Sequence, residues 1–417
     1  MERTATEPDN AQPRPKGRLL FLVENQSYPA DRRVSMEARA LTDAGYEVTV
    51  VSPTGPRAPE RETMVDGVRV IRFTNPEAGG GAFGSAREWG RAFVRMAAVV
   101  RRLYREPRFV AVIACNPPDF LIHLARPLRR RGAALVFDYH DPSPELFEAS
   151  FGRRGALHRT LLLLERSALR AADVVMTVNE PCAELIRRRG GVDPSRVHVV
   201  RNAPDPARFQ PVEPRPELRR GRDLLVLWIG HMARKESLPL LIDAADTLVN
   251  RRGRRDVAFA IVGPGDVRDE LVDEVRRRGL EDTVQLPGQV DSGPLRDYLA
   301  TADVCVSVDP RNDLNDRSLM IKVLEYMLMG KAVVQFPLLE MQRICGDATV
   351  YARDGDALDL ADKIADLLDD PARREELGRR AAERIRDGLT WPHEVPVLLG
   401  AVEQATAGRA ALSHGGR

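Results

Sequence analysis

The chain has 417 residues, room for two or three domains at about 150 residues each, so there is enough polypeptide for sizeable cores. With 43% hydrophobic and 30% charged residues it is neither disordered nor fibrous, and 63 basic against 61 acidic residues exclude a general polyanion binder. Cys115, Cys182, Cys305 and Cys345 form no CxxC pair and read as small buried residues of a reducing compartment.

In chain order, residues 1–16 are a polar tail with no apolar core, unlike a signal peptide. From Arg18 onward, short β-branched runs alternate with amphipathic stretches. LLFLV (19–23), VTVV (48–51), VRVIRF (68–73), VAVIA (110–114), ALVFD (134–138), VVMTV (174–178) and VHVV (197–200) read as buried strands. Val34–Ala44 and Pro181–Arg189 read as helices between them. This is the rhythm of βαβ units and a parallel sheet. AGGGAFGSA (78–86) lacks the spacing of a phosphate loop and reads as a surface loop. RAFVRMAAVVRRLYRE (91–106) reads as a basic amphipathic helix with Phe93, Ala97, Val100 and Tyr104 on one side. It either packs on a core with a solvated arginine face or rests on anionic lipid. No apolar run approaches the roughly 20 residues of a membrane span.

The first domain is expected over 17–205. Proline and charge dominate the linker that follows, 206–222. A second βαβ series over 223–392 has strands LLVLWI (224–229), VAFAIV (257–262), VCVSV (304–308) and AVVQF (332–336), with a helix over 371–387. The last segment, 393–417, is expected to return to the first domain. The fold class is therefore α/β, two doubly wound parallel-sheet domains, with ligands at the carboxyl ends of the strands.

Three segments carry chemistry. In DRSLMIKVLEYMLMGKAVVQF (316–336), Asp316 or Ser318 is expected to cap a helix running to about Met329, with Gly330 in a left-handed position after it. Lys322 and Glu325 share a face of that helix. They either grip the diphosphate and ribose of a sugar nucleotide, or form a surface pair worth about 0.2–0.5 kcal/mol. The loops GHMAR (230–234) and GPGD (263–266) follow strands, and Gly230, Gly263 and Gly265 would let backbone approach a diphosphate; glycine after a strand is also simply common. In DYHDPSPELF (138–147), His140, Asp141 and Glu145 follow a strand end. His140 is open to three readings: a metal ligand, for which no second His/Asp group lies at ligand spacing, a base or nucleophile, or a structural histidine. Glu145 alternatively serves the start of the next helix.

These blocks resemble a family 4 glycosyltransferase of the GT-B fold, in a WbuB-like branch, over roughly 17–392. The resemblance is carried by DRRVSMEARAL with AGYEVTVV (31–51), NPPD (116–119), DYHDPSPELF, RNAPDPARFQP (201–211), VGPGD (262–266), TADVCVS (301–307) and KVLEYMLMGKAVV (322–334). It implies two Rossmann-like domains facing a central cleft, the N-terminal one for the acceptor and the C-terminal one for a nucleotide sugar. It further implies retention at the anomeric carbon, no metal and no cofactor beyond the donor substrate. Glu325 corresponds to the second glutamate of the EX7E motif and Lys322 to a lysine of one branch, while His140 would lie under the donor sugar. By this resemblance the catalytic residues are His140, Lys322 and Glu325. The donor would also be bound by Gly230, His231, Lys235, Gly263, Gly265, Arg317 and Ser318, and the acceptor by Asn116, Asp141 and Glu145.

The sequence departs from the family pattern in two places. Arg317 stands where the first glutamate is usual, and GHMARKES (230–237) has His231 for the motif arginine and Ser237 for its second glycine. Lys235 or Arg317 is left to supply the missing cation. The expected partners are a nucleotide sugar and a hydroxyl acceptor (glycolipid, polysaccharide or secondary metabolite), and no nucleic acid. The expected location is the cytoplasm, with a peripheral contact at the inner membrane face as one option. Two further readings are a GT-B sugar-nucleotide 2-epimerase, which needs no acceptor, and a degenerate donor-binding subunit.

Overall fold

The computed structural model describes residues 15–55, 61–75, 82–152 and 155–414. They form two compact units: one within 1–140, 163–176 and 399–417, the other within 141–162 and 177–398. The linker segment 206–222 holds one regular element, a 3₁₀ turn at Pro216–Arg219, and its Phe209 is buried in the second unit's core.

The first sheet has eight strands: β1 (Gly17–Leu22), β2 (Tyr46–Pro53), β3 (Glu62–Val65), β4 (Val68–Phe73), β5 (Ala111–Cys115), β6 (Ala134–Tyr139), β7 (Val174–Thr177) and β8 (Val197–Val199). Their order is β3-β4-β2-β1-β5-β6-β7-β8. Parallel pairing runs Leu19 against Val48 on one side of β1 and Leu19 against Ala111 on the other. Chain order therefore reverses at β1/β5, where a doubly wound sheet opens a crevice at its carboxyl edge. The sequence reading misses β3, whose Met64 is 63% exposed. It is an antiparallel edge strand joined to β4 through Asp66-Gly67, both at positive φ, the geometry of a tight hairpin turn.

The second sheet contains β9 (Leu224–Ile229), β10 (Val257–Val262), β11 (Val284–Gly288), β12 (Val304–Ser307), β13 (Ala332–Gln335) and β14 (Val350–Tyr351), ordered β11-β10-β9-β12-β13-β14. It is parallel throughout. Along β9, Val226 and Trp228 join one core cluster, while Leu225, Leu227 and Ile229 join another. Helices thus cover both faces, which is why the strand reads as unbroken apolar sequence. Its reversal point is β9/β12. The short strands β11 and β14 carry too little apolar pattern to be read from sequence.

Two helical expectations are corrected. Residues 76–81 of the glycine-rich stretch lie outside the described residues, but from Ala82 that stretch belongs to the helix Ala82–Leu103. The same helix buries Ala92, Met96, Val100 and Leu103, a stripe turned from the expected one, and leaves Tyr104 41% exposed beyond its end. All four cysteines are buried and unpaired, as expected. No helix among the described residues is long and apolar enough to cross a membrane.

Candidate active site

Lys322 stands at the reversal point of the second sheet. The helix Ile321–Leu328 presents it to the residues that follow β9 and β12. Its Nζ donates to Glu236 Oε2 at 2.5 Å and to Asp309 Oδ1 at 3.1 Å, and lies 4.9 Å from the centre of the Trp228 ring. Burial works to discharge this ammonium, but the two carboxylates outweigh it and its pKa is raised. Burial also raises Glu236, helped by nearby Asp309, whereas Lys322 and Ser307 hold Asp309 low against its own burial. Glu236 is therefore the acid of the pair that holds a proton more readily. Glu325, one turn on from Lys322, is 5% exposed. Tyr326, buried beside it, accepts the Ile229 N–H at 2.7 Å and ties the helix to the end of β9.

The expected caps do not cap this helix. It starts at Ile321, after Met320, with no side-chain cap. Asp316 instead accepts the Leu339 N–H at the start of the next helix and pairs with Arg311, while Ser318 Oγ donates to the Leu314 carbonyl. Their short side chains serve the preceding 3₁₀ turn, Asn315–Arg317, and its neighbour. Gly330 does occupy the left-handed position, at φ 68°.

The loop glycines approach each other. Gly263 has φ 141°, and a Cβ there would sit 1.8 Å from the Gly230 carbonyl oxygen. A Cβ on Gly265 would sit 2.2 Å from the Met232 oxygen, and one on Gly230 would strike the Trp228 ring. Loop-on-loop packing thus explains Gly263 and Gly265, and the Trp228 ring explains Gly230, without any ligand. His231 and Lys235 are exposed. Ser237 sits at φ 50°, the conformation that its motif's glycine would adopt, so the side chain directly before it and turned inward is Glu236 and not Lys235. The Arg317 side chain donates to the Asp313 carbonyl, four residues back, and its own carbonyl accepts from Asn179.

In the first unit, Asp138 at the end of β6 is the centre of a buried network. Arg33, from the helix Arg32–Asp43, donates to it through Nη2 at 2.7 Å and Nε at 3.1 Å. His140 Nε2 meets the other side of that carboxylate at 2.6 Å. The His140 backbone N–H donates to Asn116 Oδ1 at 2.6 Å, and Asn116 in turn donates to Asp119 at 2.8 Å. Burial opposes ionisation of Asp138, but Arg33 and His140 overcome it and hold the carboxyl below its ordinary range. Burial likewise disfavours the imidazolium, and Asp138 outweighs it, so the His140 pKa is raised. Glu37, wholly buried, is pushed well above the usual range by burial despite Arg33. Its Oε1 lies 3.0 Å from Arg33 Nη2 in a buried ion pair.

Cys115, Asp138 and His140 offer ligand atoms within 4.8 Å of one another. The chemistry of that set does not suit a metal. Arg33 already neutralises the carboxylate, burial pushes the Cys115 thiol well up, and a raised imidazole pKa opposes ligation. In the second unit, Glu145 lies in the first turn of the helix Ser143–Phe151, 8% exposed, and is ion-paired with Arg189. Its carboxylate is turned to Arg189 and does not cap that helix, which has no side-chain cap. Asp141 is half-buried just before that helix.

Residues 30–203 match the model of the Glycosyl transferase 4-like domain, and residues 223–370 match that of the Glycosyl transferases group 1. The chain belongs to the GT-B glycosyltransferases of family 4 type. This glycosyltransferase is 29% identical to the alpha-D-kanosaminyltransferase of Streptomyces kanamyceticus over 226 residues, 52% of this chain and 57% of the relative. The match thus spans little more than half of that relative's length. Sucrose-phosphate synthase from Thermosynechococcus elongatus has the same fold, with a TM-score of 0.76 at 18% identity over 94% of this chain and all of that one. So has Anabaena HepE, solved with UDP-glucose, with a TM-score of 0.68 at 17% identity over the same 94% and 100%.

Within this glycosyltransferase, sequence reasoning overlooks Arg33, Glu37, Glu236, Asp309 and Trp228. Two of them were within reach. Asp309 follows β12 and Glu236 follows β9, the strands that flank the reversal point, where charged residues merit attention.

Proposed function

We propose that the chain transfers a sugar from a nucleoside diphosphate sugar to a hydroxyl acceptor, with retention and without a metal. Residues 223–392 hold the donor and 17–205 the acceptor. The observation that carries this reading is the buried ammonium of Lys322 at the β9/β12 reversal point, with Glu325 on the same short helix. An anion arriving there meets the ammonium that Glu236 and Asp309 share, and in these poorly solvated surroundings Lys322 would stabilise a departing diphosphate by turning to it from Glu236. The Glu325 carboxylate would accept from the paired hydroxyls of the nucleotide's ribose. The family match and the UDP-glucose bound by a protein of the same fold support a nucleotide sugar as donor.

A thermal-shift screen against UDP-, GDP- and dTDP-sugars identifies the donor, since a ligand that binds only the folded state raises Tm. Lys322→Ala and Glu325→Ala are then each expected to lose donor binding or turnover sharply. Near-normal donor saturation curves for both variants would overturn the assignment. Incubation with donor alone separates transfer from epimerisation, which consumes no acceptor.

A further inference from the structure

The cluster around Lys322 holds one more carboxyl than its ammonium can neutralise. We propose that Glu236 is a positioning residue that couples donor binding to proton uptake: a diphosphate takes the Lys322 ammonium, and Glu236 takes a proton from solvent and donates it in a hydrogen bond to Asp309. This rests on the donor reading of Lys322 and adds regulation of that site by pH.

Geometry and charge carry the argument. Nζ lies 2.5 Å from Glu236 Oε2 and 3.0 Å from Asp309 Oδ2. The Glu236 and Lys322 side chains are each 13% exposed and that of Asp309 5%, so water screens the group poorly. Among the described residues neither carboxyl has a second cationic partner, and Asp309 adds only the Ser307 hydroxyl. Fully ionised, the cluster is net negative and repels an arriving anion. Once a diphosphate has drawn the ammonium to itself, two neighbouring carboxylates are left facing each other, the arrangement in which one of them binds a proton. The proton goes to Glu236. Asp309 is the deeper of the two and keeps the Ser307 hydroxyl as a donor, whereas Glu236 sits on the short turn Arg234–Glu236. The two carboxyls are already within hydrogen-bond reach, so a protonated Glu236 has its acceptor in place.

The charged groups that face Glu236 are Lys322, from the helix Ile321–Leu328, and Asp309, from the segment after β12. On its own turn, Arg234 is turned to Glu270 and Lys235 is exposed, as is His231 earlier in the loop. Tyr326 stays a neutral phenol, because burial raises it well above its usual range. In the free protein, burial and Asp309 raise Glu236 while Lys322 holds it down. A ligand that occupies Lys322 removes the restraint, so Glu236 binds its proton more tightly in the complex than in the free protein. Donor binding is then strongest below the free-state midpoint of Glu236, and it weakens as pH rises from that midpoint to the one in the complex.

The test is calorimetry of the full chain with UDP-glucose and, separately, with inorganic pyrophosphate, between pH 6 and pH 8.5. Paired buffers of different ionisation enthalpy count the protons taken up. The ligand's own protons are common to wild type and Glu236→Gln, so they cancel in the difference. The wild type is expected to take up as much as about one proton more per ligand than the variant, and its affinity for UDP-glucose to fall by up to about tenfold per pH unit across the window. In Glu236→Gln that affinity is expected to stay level. Equal uptake by the two proteins, or parallel affinity profiles, overturns the proposal. So does a Lys322→Met variant that binds with the wild-type uptake, since another group would then supply it. If pyrophosphate binds with the expected difference and UDP-glucose does not bind, the linkage stands and the uridine donor is wrong. Binding of neither ligand overturns both. Should Glu236→Gln not fold, Glu236→Ala removes the same acid and is expected to show the same level profile.

Discussion

Each of the two sheets holds a buried cation between carboxyl groups near its carboxyl edge, and the two clusters are built differently. Arg33 meets Asp138 through two parallel bonds, and burial pushes its other acid, Glu37, well above the usual carboxylate range. Lys322 is a point charge shared by Glu236 and Asp309, its side chain 13% exposed. A planar fork that fits one carboxylate makes a fixed strut, whereas an ammonium on a flexible stem exchanges partners at little cost. The comparison teaches that similar composition serves different ends. The first cluster holds a shape, and the second holds a charge that a ligand can borrow.

The widest separation between them is expected on deleting the cations. Arg33→Met leaves the buried Asp138 with His140 alone as a charged partner and should cost about 3–5 kcal/mol in urea denaturation. Lys322→Met should cost less, about 1–2 kcal/mol, because Glu236 can take a proton and donate to Asp309. Equal losses would erase the distinction. The ranking reverses for ligands: calorimetry should find UDP binding reduced at least about tenfold by Lys322→Met and unchanged by Arg33→Met wherever the latter folds.

A finer test removes one acid and keeps the cation. Glu236→Gln takes a negative charge from 2.5 Å beside Lys322 and is expected to tighten UDP binding by a few-fold. Weaker binding would instead mean that Glu236 serves mainly to orient the ammonium.

The smallest effect is a pH dependence. Because the folded state raises the His140 pKa, its contribution to stability is complete below the unfolded value of about 6.5 and is lost as pH rises through the folded one. Tm should therefore fall on going from pH 6 to pH 9 by more in the wild type than in His140→Gln. Glu24 sheds a separate contribution at lower pH. Burial and neighbouring Glu88 raise it to about 7, against the hydrogen bond from Asn75, so that contribution fades between about 4.5 and 7. The difference between wild type and His140→Gln isolates the histidine.

Much of this architecture was legible in the sequence. The β-branched runs mark β1, β2, β4 and the core strands of the second sheet, because a strand buried on both faces has no polar alternation to obscure it. The edge strands β3, β11 and β14 escape notice for the opposite reason, being short, exposed or interrupted by proline. Lys322 and Glu325 stand out by their spacing. Arg33 and Asp138 do not, since 105 residues separate them and only the parallel order β1-β5-β6 brings their elements together. Lys235 draws attention as a lysine near a glycine-like position, yet the left-handed Ser237 puts Glu236 in that place. Register at one residue was beyond what composition could settle.

The contact between the two loop glycines has a mechanical consequence. Met232 N–H bonds the Pro264 carbonyl and Val267 N–H bonds the Met232 carbonyl, and the Cα of Gly263 lies against the Gly230 oxygen with no space between them. The turns after β9 and β10 are thus welded into one part. Glu236 lies beyond that joint, on the 3₁₀ turn Arg234–Glu236, so the contact between the loops does not itself hold its carboxylate against Lys322.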